Sequence, residues 1–318
     1  MKKYLIMAVC LIMMSMTASA LTINKAMLDH NGQVTLFDGD KLQDAVNAAV
    51  DGDVIYLTLG TFKPFNVTKK ITIRGTGATS VIDGDVNISI PGSAKLTSPV
   101  LEALAVSGTV NIGAQVDDMI IRKCKIANFT IGAQVDGAVL DRCYITQALA
   151  LSSYIKGMTV VNSIVYGLFA NSGATSNTTF VNSDLYLSSC NNFSGTIINS
   201  IVRHTGSSSK TLNSTVLLNT LIITYQYNGG NSYYSGYQLS IGTSSVRQGC
   251  YTITYISDSS TSSLQSNGYL GTDGTVVGIY GGDTPYTLEP SVPKVTSSDL
   301  KLDMEQKKLN VTLTVSPQ

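Results

Sequence analysis

The sequence predicts an all-β fold, a single-stranded right-handed parallel β-helix, and three observations lead to this prediction. Similar segments recur about every 20 residues, their apolar residues are mainly Val and Ile, and Gly, Ser, Asn and Asp separate the apolar runs. Self-similarity at a fixed period of this size is typical of a solenoid. Short β-branched runs between turn-forming residues are typical of strands.

The repeat is visible when six segments are aligned at their first residues. Successive starts are separated by 17 to 20 residues, and the segments are 121–126, 140–145, 160–165, 180–185, 197–202 and 217–222. Leucine-rich repeats share this period, but they need a denser Leu pattern and a helical segment in each unit. We therefore predict about ten coils of roughly 20 residues, each with three short strands that pair with their equivalents one coil later.

An asparagine column runs through four successive coils of this alignment. Its members are Asn162, Asn182, Asn199 and Asn219. Because stacked coils lie about 4.8 Å apart, these amides can hydrogen-bond one another at a turn. We predict a structural asparagine ladder, with a binding role as the alternative. The next column holds small side chains, as a tight turn requires: Cys124, Cys143, Ser163, Ser183, Ser200 and Thr220.

The first twenty residues read as a secretory signal peptide. Lys2 and Lys3 precede an apolar stretch, and Ala18-Ser19-Ala20 is a small-residue cleavage site. A lipoprotein signal at Cys10 is the alternative. The mature chain has no further stretch long enough to span a membrane. We therefore expect the mature protein to be exported.

The four cysteines left after cleavage are Cys124, Cys143, Cys190 and Cys250. They are too few for a disulfide scaffold, although a bridge is possible in an oxidising compartment. Their spacings match no zinc pattern.

The β-helix is predicted to cover residues 21–285 and to open with a capping helix over 41–50. Asp40 is the predicted N-cap with Gln43 in a capping box, and the apolar residues that follow form one helical stripe. Strands are predicted at 54–57 and 71–73, with a turn at 60–61. This is the one helix that the sequence predicts with clear periodicity.

Residues 286–318 differ in character from the repeat. Leu309, Val311, Leu313 and Val315 alternate with polar residues, which predicts a half-buried strand. Residues 299–302 are its predicted hairpin partner. The segment is therefore a C-terminal hairpin or a cap over the last coil.

The N-terminal run resembles a known family. Leu42 to Leu57, then Gly60-Thr61-Phe62 and Lys70 to Gly75, look like the cap and first coils of the pectate-lyase-like right-handed β-helix superfamily. The segment 273–282 resembles one in uncharacterised secreted β-helix proteins of Gram-negative bacteria. This resemblance implies that the exported protein resides in the periplasm, at the outer surface or outside the cell of such a bacterium. The resemblance implies that the helix plugs the open end of the solenoid, where unpaired strands would otherwise aggregate.

Enzymes of that family set the requirements for catalysis. The lyases need a cation and a basic side chain, and the hydrolases need clustered carboxylates. The candidates are Arg122 and Asp141, which also read as an ion pair between adjacent coils, and Arg203 with His204. We find neither a paired-Asp signature nor a dense basic cluster, so the family activity does not carry over to this chain.

A calcium site is conceivable where acidic residues repeat in register. Asp117 and Asp136 lie one above the other in the predicted stack, with Asp118 adjacent. The alternative is that these residues form turns, in which Asp bonds its own backbone. Lys123 and Arg142 hold the ladder position in the first aligned coils, where they could meet an anionic sugar or be solvated. No cofactor is expected apart from this possible Ca²⁺.

A tyrosine-rich stretch favours binding. Its aromatic residues are interleaved with Asn and Gly, and they are Tyr225, Tyr227, Tyr233, Tyr234 and Tyr237. Tyrosine faces stack on sugar rings, although the same side chains could instead pack back onto the coils. The absence of Trp weighs somewhat against carbohydrate.

Charge and composition narrow the function. Lys and Arg number 21 against 21 Asp and Glu, so there is no basic excess for nucleic acid. We predict an exported, non-catalytic protein that binds a glycan or another surface. The alternatives are a lyase or hydrolase acting on acidic polysaccharide, and a structural adhesin or spacer. The sequence leaves the oligomeric state open.

Overall fold

The protein is an all-β parallel solenoid, as predicted. The computed structural model describes residues 24–90, 99–113, 116–170, 177–189, 193–204, 209–227, 233–256, 259–287, 294–303 and 308–316. Strands make up 51% and helices 7%, and a short helix lies near the N-terminus. The predicted signal peptide at 1–20 and Cys190 lie outside the described residues. No helix in the described part of the chain is long and apolar enough to cross a membrane.

The strands are short, and they are numbered in chain order. Those before the regular repeat are β1 (Lys25–His30), β2 (Gln33–Asp38), β3 (Val54–Leu57), β4 (Gly60–Phe62), β5 (Phe65–Val67), β6 (Thr72–Arg74), β7 (Ser80–Ile82) and β8 (Val86–Ile88). The next are β9 (Leu101–Glu102), β10 (Ala105–Ile112), β11 (Val116–Asp117), β12 (Ile120–Arg122), β13 (Lys125–Ile131), β14 (Val135–Asp136), β15 (Ala138–Asp141), β16 (Tyr144–Leu151), β17 (Met158–Val161) and β18 (Ile164–Ala170). The remainder are β19 (Thr178–Val181), β20 (Asp184–Ser189), β21 (Thr196–Ile198), β22 (Ile201–His204), β23 (Lys210–Leu212), β24 (Val216–Leu218), β25 (Leu221–Ile223), β26 (Tyr225–Tyr227), β27 (Tyr233–Ile241), β28 (Val246–Gln248), β29 (Tyr251–Ile253), β30 (Lys294–Asp303) and β31 (Lys308–Ser316).

Two long sheets form the walls of the solenoid. The first sheet has the order β2-β1-β3-β6-β9-β12-β15-β17-β19-β21-β24-β28, and the second sheet has the order β29-β25-β22-β20-β18-β16-β13-β10-β7-β4, with β5 and β8 beside it. From β3 onward the strands of the first sheet pair in parallel register with their equivalents one coil away. The solenoid has about 7 turns, fewer than the ten predicted. The repeat length holds from β9 to β24, whereas the connections before β9 and β28 are longer than one repeat.

The core is built from apolar ladders, in which equivalent inward side chains of successive coils stack on one another. In the first sheet the ladder is Ile55, Ile73, Leu101, Ile121, Leu140, Val160, Phe180, Ile197 and Leu217, all fully buried. In β3, β12 and β19 the residues on either side of the ladder residue are partly exposed, which is the alternation expected of strands with one face inside. Burial of each such side chain contributes about 1.5–3 kcal/mol, so the ladders dominate the stability of the fold.

The small-residue column forms a hydrogen-bonded ladder inside the turn. The Ser163 hydroxyl accepts from the Cys143 backbone N–H at 2.9 Å, and the Ser183 hydroxyl accepts from the Ser163 N–H at 3.2 Å. Each hydroxyl also donates to the carbonyl two residues earlier. Cys124, Cys143 and Cys250 are free thiols. Burial raises the pKa of the Cys143 thiol to about 12.

The N-terminal cap differs in detail from its prediction. The helix α1 spans Leu42–Ala48 after a 3₁₀ turn at Gly39–Lys41, and it buries its apolar stripe. Its N-cap is Lys41 without a side-chain cap bond, so the predicted capping box is wrong. Gln43 instead accepts a hydrogen bond from the Asn66 N–H at 2.8 Å, which ties the helix to β5. The predicted turn at 60–61 is also wrong, because these residues begin β4.

The C-terminal part contains a second helix that the sequence reading missed. Helix α2 spans Thr261–Ser266 and is capped by the Ser260 hydroxyl. It has a single buried apolar residue, Leu264, which is too weak a pattern for a periodicity argument. That residue packs with Val276 and Val277 on the outer face of Ile201 and Leu221. Further along the chain, β30 and β31 pair as an antiparallel hairpin.

Candidate functional site

Arg122 and Asp141 lie in a charged column on the outer face of the first sheet. This charged column comprises Arg74, Glu102, Arg122 and Asp141, in register on four successive strands. The Arg74 Nε lies 2.7 Å from Glu102 Oε2, and the Arg122 Nε lies 3.0 Å from Asp141 Oδ2. Glu102 and Asp141 are each only 8% exposed. The ion pair of Arg122 and Asp141 was predicted to lie at the surface, but the Asp141 side chain is largely buried.

Asp141 binds a second guanidinium group. The Arg142 Nε and Nη2 donate to its two carboxylate oxygens at 2.9 and 2.7 Å. This hydrogen bonding raises the pKa of Arg142. With three N–H donors on its two oxygens, Asp141 is a structural anchor and is poorly placed to act as a general acid.

A basic cluster surrounds this anchor, although the sequence reading found none. Lys123 lies close enough to Arg142 and Arg122 for their charges to act on it. Burial, followed by the charge of Arg142, lowers the pKa of the Lys123 ammonium. Lys123 and Arg142 both have left-handed backbone conformations, with φ of 53° and 52°. Arg122 and Arg142 share the single carboxylate of Asp141, so these three side chains leave one positive charge in excess.

Arg203 occupies a second buried ion pair, on the outer face of the second sheet. Its Nε and Nη2 donate to the two oxygens of Asp184 at 3.1 and 2.9 Å. The Arg203 guanidinium also lies 4.9 Å from the centre of the Tyr186 ring. Burial raises the pKa of Asp184 although Arg203 opposes the shift. His204 ends β22, and its side chain lies outside the described part of the structure.

Three tyrosines on successive strands of the second sheet form an aromatic column that begins beside Arg203. The column comprises Tyr144, Tyr166 and Tyr186, and its ring centres are 5.8 and 4.1 Å apart. The Lys125 ammonium lies 5.9 Å from the Tyr144 ring at the other end. Burial raises the pKa of Tyr186. Because the Tyr166 and Tyr186 rings stack with an angle of 11°, they offer a ligand their edges and hydroxyl groups rather than their faces.

A cavity of about 290 Å³ adjoins the Lys125 end of the aromatic column. We call it the Lys125 cavity; small apolar side chains and polar groups line it, among them Ala105, Ala127, Ser107, Lys125, Thr146 and Gln147. The alanines create the space, since longer side chains at these outward positions would fill it. The volume is at the lower end of the ~300–1,000 Å³ that ligand clefts occupy.

A hydrogen-bonded asparagine ladder exists, but at a position the sequence reading did not identify. The Asn87 amide donates to Asn66 Oδ1 at 2.8 Å, and the Asn111 amide donates to Asn87 Oδ1 at 3.1 Å. Thr130 continues the ladder through a hydrogen bond to Asn111. The sequence pattern that could have identified this ladder is an Asn between two apolar residues, which recurs at positions 66, 87 and 111. This row stands on the outer face of β5, β8 and β10.

The predicted ladder has a different bonding pattern. Asn162, Asn182, Asn199 and Asn219 occupy equivalent corners, and all have left-handed φ of 45–49°. None of their described side chains bonds another member. Instead, the Asn162 amide donates to the Gly281 carbonyl at 2.8 Å, and Asn199 Oδ1 accepts from the Thr272 N–H at 2.9 Å. Asn162, Asn182 and Asn199 are thus covered by the segment 269–287, which we call the strap.

The possible calcium residues do not converge. Asp117 and Asp136 pair in register, as predicted. However, the Asp118 side chain lies against Gly137 and that of Asp136 lies against Gly157. Within the described ranges there is no group of three or more His, Cys, Asp or Glu residues that could hold a metal. The buried Asp117 Oδ1 has no hydrogen-bond partner.

The predicted tyrosine surface lies on β26 and β27, which pair antiparallel. Tyr225 and Tyr227 belong to β26, and Tyr233, Tyr234 and Tyr237 belong to β27. Residues 228–232 and all five of these side chains lie outside the described part. The binding role of these tyrosines remains a prediction.

Tyr166 and Tyr186, which sequence reasoning missed, lie one column beyond the segments it aligned, in the same column as the candidate Arg203. Tyr166, Tyr186 and Arg203 each stand four residues after an Asn of the predicted ladder. Extending the alignment by one position would have placed them together on one outward face. Glu102 and Arg74 precede the first aligned segment, so the alignment held no signal for them.

No protein-family model matches the chain, and no curated protein and no solved structure matches it either.

Proposed function

We propose that this protein is exported and binds a polysaccharide or cell-surface glycan, without cleaving it, along the outer face of the second sheet. The observation that carries the proposal is the Lys125 cavity. Lys125 lines this cavity and also lies over the Tyr144 ring, so it connects the cavity to the aromatic column. In this cavity hydroxyl, amide and ammonium groups surround small apolar side chains. This arrangement suits a sugar ring, which has one apolar face and many hydroxyl groups. The exposed ladder of Asn66, Asn87 and Asn111 adds amides on the same sheet.

The shape of this face favours an extended ligand. From the cavity to Arg203 the polar and aromatic groups follow one another on successive coils, which are about 4.8 Å apart. A polymer can contact several coils at once. Once one sugar unit is bound, its neighbours are held close to the adjacent coils, so several weak contacts together give a higher affinity. We also propose that the solenoid is right-handed and belongs to the pectate-lyase-like superfamily. The capping helix and the left-handed Asn corners support this assignment.

Binding is tested by retention of the full chain on a panel of immobilised glycans. We expect retention on at least one glycan, weakened about tenfold or more by Tyr166→Ala, since an aromatic anchor is typically worth over 1.4 kcal/mol. Tyr154→Ala is the matched control, because Tyr154 is also exposed but lies in a turn away from the column. Equal loss in both variants would argue against the proposed site. Retention on no glycan would leave the spacer function.

A lyase is the second candidate, and the lowered pKa of Lys123 beside Arg142 favours it. A basic side chain of this kind can remove a proton next to a carboxylate. Incubation with uronate polysaccharides, followed by absorbance of unsaturated product and by assay of reducing ends, separates the two functions. We expect no product, and product from any polymer would overturn the non-catalytic proposal.

A further inference from the structure

The left-handed corner between the two sheets changes its character along the solenoid. The corner residues Ala103, Lys123, Arg142, Asn162, Asn182, Asn199 and Asn219 all have φ between 45° and 53°. The strap lies over Asn162 and Asn199 and bonds their amides. Toward the N-terminus the same corner carries Arg142, whose guanidinium group is turned onto Asp141.

Asp141 holds two guanidinium groups in fixed positions. Arg122 lies opposite Asp141 on the neighbouring strand β12, and Arg142 lies at the corner that follows Asp141. The Arg122 Nε donates to Asp141 Oδ2 at 3.0 Å, and the Arg142 Nη2 donates to the same oxygen at 2.7 Å. Since Arg122 uses its Nε for this bond, its two terminal nitrogens keep four N–H donors. Arg142 uses Nε and Nη2 and keeps the donors of Nη1. One carboxylate thus orients two cations and neutralises one of them.

One positive charge is in excess at this pair, because Arg122 and Arg142 share the carboxylate of Asp141. Burial and then the charge of Arg142 lower the pKa of Lys123, and Arg122 adds a smaller effect in the same direction, whereas Asp141 and Glu102 oppose the shift. Arg74 is paired with Glu102 one coil beyond Arg122, so it adds no further net charge. The excess is therefore concentrated between Arg122 and Arg142, where side-chain exposures of 36% and 18% leave room for a ligand.

We propose that the Arg122–Asp141–Arg142 clamp binds a tetrahedral sulfate or phosphate group, either as the free ion or carried as an ester. Two guanidinium groups on different backbone elements present N–H donors from two directions, which suits an anion with three terminal oxygens. A carboxylate has only two oxygens, which lie in one plane, and Asp141 already supplies a partner of that kind. This clamp lies on a different face from the Lys125 cavity, so the inference stands independently of the proposed glycan function.

The site is tested with inorganic sulfate and phosphate in calorimetric titrations of the full chain, at constant ionic strength maintained with chloride. We expect saturable binding, weakened at least tenfold by Arg142→Asn. That variant should fold, because Asn occupies the same left-handed position in the next coils. Lys63→Gln removes one exposed positive charge elsewhere and should leave binding unchanged.

Further arms identify the source and the class of the anion. Tighter binding of dextran sulfate than of inorganic sulfate, with none of dextran, would assign the ester to a polymer; equal affinity would assign a free ion, and both results support the clamp. The proposal would be overturned by non-saturable heats, by wild-type affinity in Arg142→Asn, by equal weakening in Lys63→Gln, or by galacturonate binding as tightly as sulfate.

Discussion

Among single residues, Asp184 shows most clearly how one coil departs from the pattern of its neighbours. In the parallel register its position is equivalent to Ile164 and Ile201, so two apolar side chains flank a buried carboxylate. Arg203 supplies both of its ion-pair contacts. Burial of a charge is costly unless a partner compensates it, so removing the partner is more harmful than removing the pair.

The substitution Arg203→Met is therefore expected to destabilise the fold by about 3–5 kcal/mol, because it leaves Asp184 buried without a partner. The double variant Asp184→Ile/Arg203→Met should recover most of that loss, since Ile fits the flanking coils. Urea unfolding followed by circular dichroism measures both values. Equal destabilisation in the single and double variants would show that Arg203 acts through packing on Tyr186 instead.

Single positions also show what the sequence could and could not predict about the site. The Asn corners and the small-residue column were readable because each coil repeats them at a fixed offset. The contact between Asn162 and Gly281 joins residues 119 positions apart, and no local pattern encodes such a contact. The Lys125 cavity depends on which of several outward side chains are small, which becomes meaningful only once strands are in register.

At the level of elements, the strap is the part of the fold that the repeat did not predict. It runs over the Asn column and brings Val276 and Val277 onto the outer face of the second sheet. Its path requires two successive glycines, Gly281 and Gly282. A Cβ at Gly282 would collide with the Asn182 amide, and its φ is 75°.

We expect Gly282→Ala to loosen the strap. The matched control is Gly274→Ala, because Gly274 has a φ of 76° but no atom within 4 Å of an added Cβ. Both variants bear the strain of a positive φ, about 1 kcal/mol, and Gly282→Ala bears the collision in addition. Limited proteolysis should cut Gly282→Ala faster within 269–287. Equal cleavage rates in the two variants would contradict the proposed fit of the strap on Asn182.

For the whole molecule, repetition explains both the scarcity of charge and its placement. Most coil positions are taken by the Val and Ile ladders, the hydroxyl column and the Asn corners, which leaves few outward positions for ionisable groups. Those positions stack, so the few charges that remain meet their equivalents on adjacent coils. The fold class was predictable for the same reason, since the period alone reveals a solenoid. The number of turns was not, because long connections interrupt the period near both ends.

Hydrogen–deuterium exchange of the full chain, with and without an oligosaccharide of the glycan that retains it, tests the central claim most directly. Ligand binding at the Lys125 cavity and the aromatic column should slow exchange in the second-sheet strands β10, β13, β16 and β18. The strands β17, β19 and β21 of the first sheet should exchange as in the free protein. Protection confined to the first sheet, or no protection on the second sheet at saturating ligand, would contradict the account.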